Sequence, residues 1–313
     1  MPATERQLAD TVLMIRPVAF QGNPMTQVSN RFQEPVAESP AQLQTLALHE
    51  FDGLVAALRE AGIEVIVVED THEPHTPDSI FPNNWVSFHA DGRVVLYPLE
   101  AQNRRAERRP EVVEMLAAGH GFRVRELVDL TAHEQQGHYL EGTGSLVLDR
   151  VHRVAYACLS SRTHLEPLAD FAQRLDYETV AFDAVDRDGL PIYHTNVLMS
   201  VGEELAFVCT AAIPRDEQRA AVVQRLADTG HDVIELSFPQ LEAFAGNMLE
   251  LGSKTGARVL AMSRQAFESL EPDQRQQVRD NGECVVADVA NIERAAGGSV
   301  RCMLAEVHLP RAG

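Results

Sequence analysis

Residues 85–99 read WVSFHADGRVVLYPL, an apolar strand, a tight turn and a second apolar strand. The same figure returns, about 50–60 residues apart, as GSLVLDRVHRVAYACLS from Gly144, NVLMSVGEELAFVCT from Asn196 and NMLELGSKTGARVLAMS from Asn247. A fifth strand, MLAEVHLP from Met303, arrives at the same interval, and the sequence then ends. Pairing it with the first apolar strand, TVLMIRPVAF from Thr11, would close a ring. Repetition at a fixed period marks one array of similar units rather than several independent domains.

Helical spacing follows each hairpin, in residues 101–118, 164–175, 215–229 and 263–279, and also fills residues 41–60. A strand comes after each: FRVREL from Phe122, YETVAF from Tyr177, DVIELS from Asp232, ECVVAD from Glu283 and EVIVVE from Glu64. The repeating unit is strand–strand–helix–strand. It predicts an α/β fold with pseudo-fivefold, propeller-like symmetry and the helices outside. One domain over residues 1–313 is expected, because no Ser/Gly-rich linker interrupts the chain. Residues 24–40 and 71–82, each with three prolines, read as loops.

Polar residues stand just before each first strand: Asn83 and Asn84, Glu141, His194 and Asn196, Asn247, and Cys302. In a closed array these positions converge on the axis, so a carboxylate, an imidazole and a thiol would meet. Gly297, Gly298 and Ser299 give the backbone before Cys302 the freedom to present its thiol, and Arg301 beside it favours the thiolate. His194 has a side chain whose unperturbed pKa suits general acid–base work. Glu141, before Gly142-Thr143-Gly144, is either an ordinary turn acid or the group that orients His194. Asp78 is either a loop acid or the receptor of a substrate amine.

The formal net charge is −19, which argues against nucleic-acid binding and disfavours an anionic membrane. The first ten residues lack the basic start and apolar run of a signal peptide, and no apolar run approaches a membrane span. A soluble, cytoplasmic protein is expected. Lys254 is the single lysine, so a Walker A lysine is absent and a pyridoxal Schiff base would have to use Lys254. Cys158, Cys209 and Cys284 lie in apolar strands and read as core. His72 and His75 lack an evident third ligand, and no metal site is expected.

The segments PDSIFPNNW, NRRAERRPEV, LEGTGS, LSSRT, YHTN, FAGNML and GGSVRCM, in this order from residue 77 to residue 303, resemble the amidinotransferase, arginine deiminase and dimethylargininase superfamily. Its fold is a five-bladed α/β propeller, and the nearest likeness is to citrulline utilisation hydrolases. The resemblance implies Cys302 as nucleophile, His194 as proton shuttle and Glu141 as its acidic partner. It implies that Asp78 meets the substrate's α-amino group and Arg162 its α-carboxylate, with Arg105 as a second arginine. It implies no metal or organic cofactor and a small amino-acid substrate. A homodimer is the default assembly.

Two departures bear on the substrate. Guanidine-binding members carry an aspartate where this chain has Asn84, and deiminases carry one where it has Asn196. Carboxylates suit a guanidinium, whereas a carboxamide can donate to a carbonyl oxygen. The expected reaction is hydrolysis of the ureido group of citrulline to ornithine, ammonia and carbon dioxide. The rivals are a guanidine-modifying enzyme (dimethylarginine hydrolase, arginine deiminase or amidinotransferase) and a non-catalytic propeller that binds a macromolecule.

Overall fold

The computed structural model describes residues 5–311. Residues 1–4 and 312–313, which the sequence places in the same domain, lie outside the described residues.

Five three-stranded sheets follow one another around a ring. One blade holds β3 (Val86–Phe88), β4 (Arg93–Leu96) and β5 (Glu126–Asp129). The next holds β6 (Val147–Asp149), β7 (Val154–Leu159) and β8 (Glu178–Asp183). A third holds β9 (Met199–Val201), β10 (Leu205–Val208) and β11 (Asp232–Glu235), and a fourth β12 (Leu249–Gly252), β13 (Arg258–Ser263) and β14 (Glu283–Ala287). In each, the hairpin is antiparallel and the strand after the helix joins in parallel. The closing blade uses both ends of the described chain. There β1 (Thr11–Arg16) pairs antiparallel with β15 (Ala305–Glu306), Leu13 opposite Ala305, and parallel with β2 (Glu64–Glu69). The ring expected from the repeat is therefore the ring observed.

The central strand of each blade is buried on both faces, which is why it reads as a continuous apolar run. Successive side chains point to opposite faces, and here the two faces meet different neighbours. Val12 and Met14 pack toward the β12–β14 blade, Leu13 and Ile15 toward the β3–β5 blade. Val154, Tyr156 and Cys158 join one cluster with the β9–β11 blade, Ala155 and Ala157 another with the β3–β5 blade. Every cluster is thus shared between adjacent blades, and no blade has a private core. Cys158 and Cys209 are among these core residues, as their surroundings in the sequence suggested.

The helices connect the hairpins to the parallel strands. The first is Pro40–Glu60, capped by Ser39 with Gln42 completing a capping box. Helices Leu165–Leu175 and Asp216–Asp228 fall where helical spacing placed them, while the 101–118 pattern divides into a 3-10 helix, Gln102–Glu107, and an α-helix, Pro110–His120. The pattern over 263–279 resolves into Arg264–Ser269 and Pro272–Asn281, because Pro272 has no N–H to continue the first helix. β5 starts four residues later than Phe122, since Phe122 bridges Arg311 and the Arg123 N–H donates to Pro310.

Leu13 is fully buried on the strand that holds both ends of the ring. Leu13→Ala is expected to cost about 2–5 kcal/mol. Urea denaturation should show it as a lower midpoint with an unchanged slope, one cooperative transition remaining.

Candidate active site

Four of the five first strands are entered through short helical turns: Pro82–Asn84, Gly142–Ser145, Thr195–Leu198 and Val300–Met303. Such turns are too short to be stable alone, but every residue in them is buried. They converge on a narrow cavity between Asp78, Asn84, Arg104, Arg162, His194 and Cys302. Two glycines make the convergence possible. Gly142 has φ +48°, and a Cβ there would fall 2.1 Å from the Asn83 carbonyl oxygen. A Cβ on Gly144 would fall 2.4 Å from Asn84 Nδ2 and 2.8 Å from His194 Nδ1.

Glu141 lies behind His194 with no exposed surface. Its carboxylate accepts from His194 Nε2 at 2.9 Å and from the Glu100 N–H at 3.0 Å. Nη1 of Arg104 and Nη1 of Arg162 each stand 3.5 Å from Oε2. Burial pushes this acid up, but Arg162, the His194 hydrogen bond and Arg104 outweigh it and hold it well below the usual carboxylate range. An ionised carboxylate only accepts, so His194 carries its proton on Nε2 and keeps a lone pair on Nδ1. Burial, only partly offset by Glu141, pushes His194 down to about 4. At neutral pH the imidazole is an uncharged base.

The Cys302 sulfur sits 3.3 Å from Asn247 Nδ2 and 3.6 Å from Asn196 Nδ2. Burial pushes the thiol up, and the Asn247 hydrogen bond is the main counterweight. Arg301 favours the thiolate through its charge alone, since its guanidinium donates to the Leu304 carbonyl at 3.0 Å and to Glu306 at 2.7 Å. The resting pair is therefore a thiol and a neutral imidazole.

The remaining predicted residues divide. Asp78 Oδ2 accepts from Asn23 Nδ2 at 2.7 Å, while its Oδ1 is buried without a partner. Arg162 stacks over Tyr193 at 4.8 Å and donates to the Thr26 carbonyl at 3.0 Å and the Ser29 hydroxyl at 2.8 Å. Asn84 Oδ1 accepts from Arg104 Nη1 at 3.0 Å, and its Nδ2 is buried without a partner. Asn196 is in the site but turned to the sulfur. Arg105 is not brought there: it donates to the Leu99 carbonyl at 3.2 Å and pairs with Glu134 at 3.2 Å.

Of the two adjacent arginines, it is Arg104 that enters the cavity, forked onto Glu107 at 3.0 and 2.9 Å. Residues Gln102–Glu107 form a 3-10 helix, in which neighbours point about 120° apart. Only one of two adjacent arginines can face inward, and the signal that picks Arg104 is its i,i+3 acid, Glu107. Sequence reasoning also missed Asn23, Thr26 and Ser29, because polar residues in a loop carry no local pattern.

The fold defines the class, a five-bladed α/β propeller, with the Cys302–His194–Glu141 cluster at its centre. Residues 16–309 match the family described as N,N dimethylarginine dimethylhydrolase, eukaryotic, and the chain belongs to that family. Solved structures agree on the fold. The arginine dihydrolase ArgZ of the ornithine–ammonia cycle in cyanobacteria superposes with a TM-score of 0.72 at 19% identity, over 96% of this chain and 41% of that one. Unliganded AgrE gives 0.73 at 20%, over 97% and 40%. The adduct of a dimethylarginine dimethylaminohydrolase with S-methyl-L-thiocitrulline gives 0.63 at 14%, over 95% and 99%. This chain spans about two fifths of the length of ArgZ and AgrE. No curated protein matches it by sequence.

Nitrogen-15 shifts should show His194 neutral, with Nε2 protonated, down to about pH 5, and a midpoint near 4. Between the unfolded value of 6.5 and 4, the unfolded chain binds a proton that the folded one does not. Stability therefore falls as pH drops through that window, and His194→Gln should remove this share of the slope in urea titrations from pH 7 to 4.5.

Proposed function

We propose that this protein hydrolyses the terminal ureido group of citrulline, giving ornithine, ammonia and carbon dioxide with the consumption of one water. The observation that carries the reading is the Asn84 amide. Arg104 has only donors, so Asn84 must turn its oxygen to Arg104 and its NH2 to the cavity. That NH2 is buried without an acceptor, and such a group is costly unless a ligand pairs with it. A ureido oxygen accepts from it, whereas a guanidinium, all donors, cannot. The free Oδ1 of Asp78 suits an α-ammonium, and Arg162 an α-carboxylate.

The chemistry then follows from the resting protonation. Nδ1 of His194 takes the thiol proton as Cys302 Sγ bonds to the ureido carbon. Glu141 stabilises the imidazolium that forms. The imidazolium gives its proton to the nitrogen whose bond to carbon breaks, leaving a thiocarbamate on Cys302. His194, again neutral, deprotonates the water that releases it, and the carbamate formed decomposes to carbon dioxide and an amine.

A second reading, action on a guanidine, is favoured by the family's name and by the arginine dihydrolase among the structural neighbours. Charge weighs against it. Asp78, Glu107 and Glu141 exceed Arg104 and Arg162 by one if all are ionised, a surplus a guanidinium would neutralise. Burial pushes Glu107 up, with the Arg104 fork holding it back, and this reduces the surplus available to a cation. The two readings are chemically adjacent, because hydrolysing a guanidine once yields a ureido group.

Ornithine and ammonia should be measured from citrulline, arginine and dimethylarginine in parallel. Citrulline is expected to have the highest kcat/KM. Asn84→Asp should reduce it by at least about 10²-fold while improving binding of arginine, since two acceptors would then face each other. Efficient arginine turnover by the parent would move the assignment to a guanidine hydrolase. Cys302→Ala should retain the fold and lose turnover; parental rates in that variant would exclude a covalent route.

A further inference from the structure

We propose that Asn247, seconded by Asn196, is a catalytic residue whose side-chain N–H stabilises the Cys302 thiolate while the sulfur attacks. This deepens the reading of the site as a cysteine hydrolase and does not depend on which substrate it takes.

The nearer end of each amide is its NH2, the oxygens of Asn247 and Asn196 lying farther off at 3.7 and 3.9 Å, where they can accept only the thiol proton. Asn247 Nδ2 is 2.9 Å from the Asn196 carbonyl oxygen and 3.3 Å from Sγ. Asn196 Nδ2 is 3.2 Å from the Thr143 carbonyl oxygen and 3.6 Å from Sγ. An amide oxygen at either place would oppose a backbone oxygen, so the NH2 groups must stand there. Each NH2 has two hydrogens: one satisfies the carbonyl, and the other is left for the sulfur. Asn247 has no exposed surface, and Asn196 has 1%, so neither donor has water as an alternative partner. The two amides hold each other through the Asn247 bond to the Asn196 backbone, which keeps both donors in place before charge develops.

No cation bonds the sulfur, although the nearby Arg301 charge also favours its anion. Arg301 is committed to Glu306 and the Leu304 carbonyl. Of the charged groups around the cavity, Arg104 is forked onto Glu107 and Arg162 is held by Thr26 and Ser29. Tyr193 donates to the Gly297 carbonyl and Asp78 is an anion. His194, backed by Glu141, is neutral at rest. Bonds from N–H to an ionised acceptor are stronger than to a neutral one, so the amides favour thiolate over thiol. A carboxylate at either position would reverse that preference.

The test is the pH dependence of Cys302 alkylation by iodoacetamide, with thiolate ultraviolet absorbance, each corrected with a Cys302→Ser background. Asn247→Ala is expected to raise the midpoint by about one unit and slow alkylation at pH 7 about tenfold. The near-isosteric Asn247→Asp should raise it further. A folded variant, by circular dichroism and melting, that titrates like the parent overturns the proposal. The parent itself supplies a check that does not depend on variant folding. The Asn247 side-chain amide resonances should move with the thiol titration and stay fixed in Cys302→Ser; resonances that ignore the titration in the parent overturn it. Failure of citrulline as substrate changes none of these outcomes.

Discussion

The Glu141 carboxylate is the constraint that organises the site. A buried anion without partners costs far more than one fold can supply. Here the partners are the Glu100 N–H, Arg104, Arg162 and the His194 N–H. They come from three stretches of sequence more than 20 residues apart, and only the closed ring brings them to one carboxylate. The same contacts decide chemistry. They keep Glu141 ionised, which fixes the His194 tautomer and leaves Nδ1 free to take a proton. They also mean that breaking one blade exposes or orphans a charge, so the integrity of the ring and the competence of the site are one property.

The blades were legible because each central strand is buried on both faces. Val94 and Val95, or Ala155 and Tyr156, serve different inter-blade cores, so apolar runs with tight turns recur without alternation. The converging positions were legible because the repeat gives every first strand an equivalent start. What lay beyond reach was orientation within those positions. Asn196 and Asn84 look equivalent as asparagines at blade entrances, yet one faces sulfur and the other faces Arg104. The choice between Arg104 and Arg105 turned on the pitch of a six-residue helix, which no apolar periodicity reports. Asn23, Thr26 and Ser29 act through Asp78 and Arg162, partners more than 50 residues away. Their roles are contacts, and a single sequence does not print contacts.

A buried nucleophile and a buried base, each pushed toward its neutral form, look ill suited to catalysis. The His194 imidazole is pulled to about 4 and the thiol is pushed up, so the ion pair is disfavoured at rest. A neutral thiol is a weak nucleophile, so the resting site is quiet. Charge has to appear only along the reaction coordinate, and the site holds dipoles and ions aimed at where it appears. Glu141 faces the side of the imidazole that becomes cationic. The carboxamides of Asn247 and Asn196 face the sulfur that becomes anionic. Asn84 lines the same cavity, its Nδ2 buried without an acceptor. Because these groups are locked by backbone carbonyls, by Arg104 and by Gly144's missing side chain, they need not reorganise as charge develops, which is where preorganised electrostatics gains most.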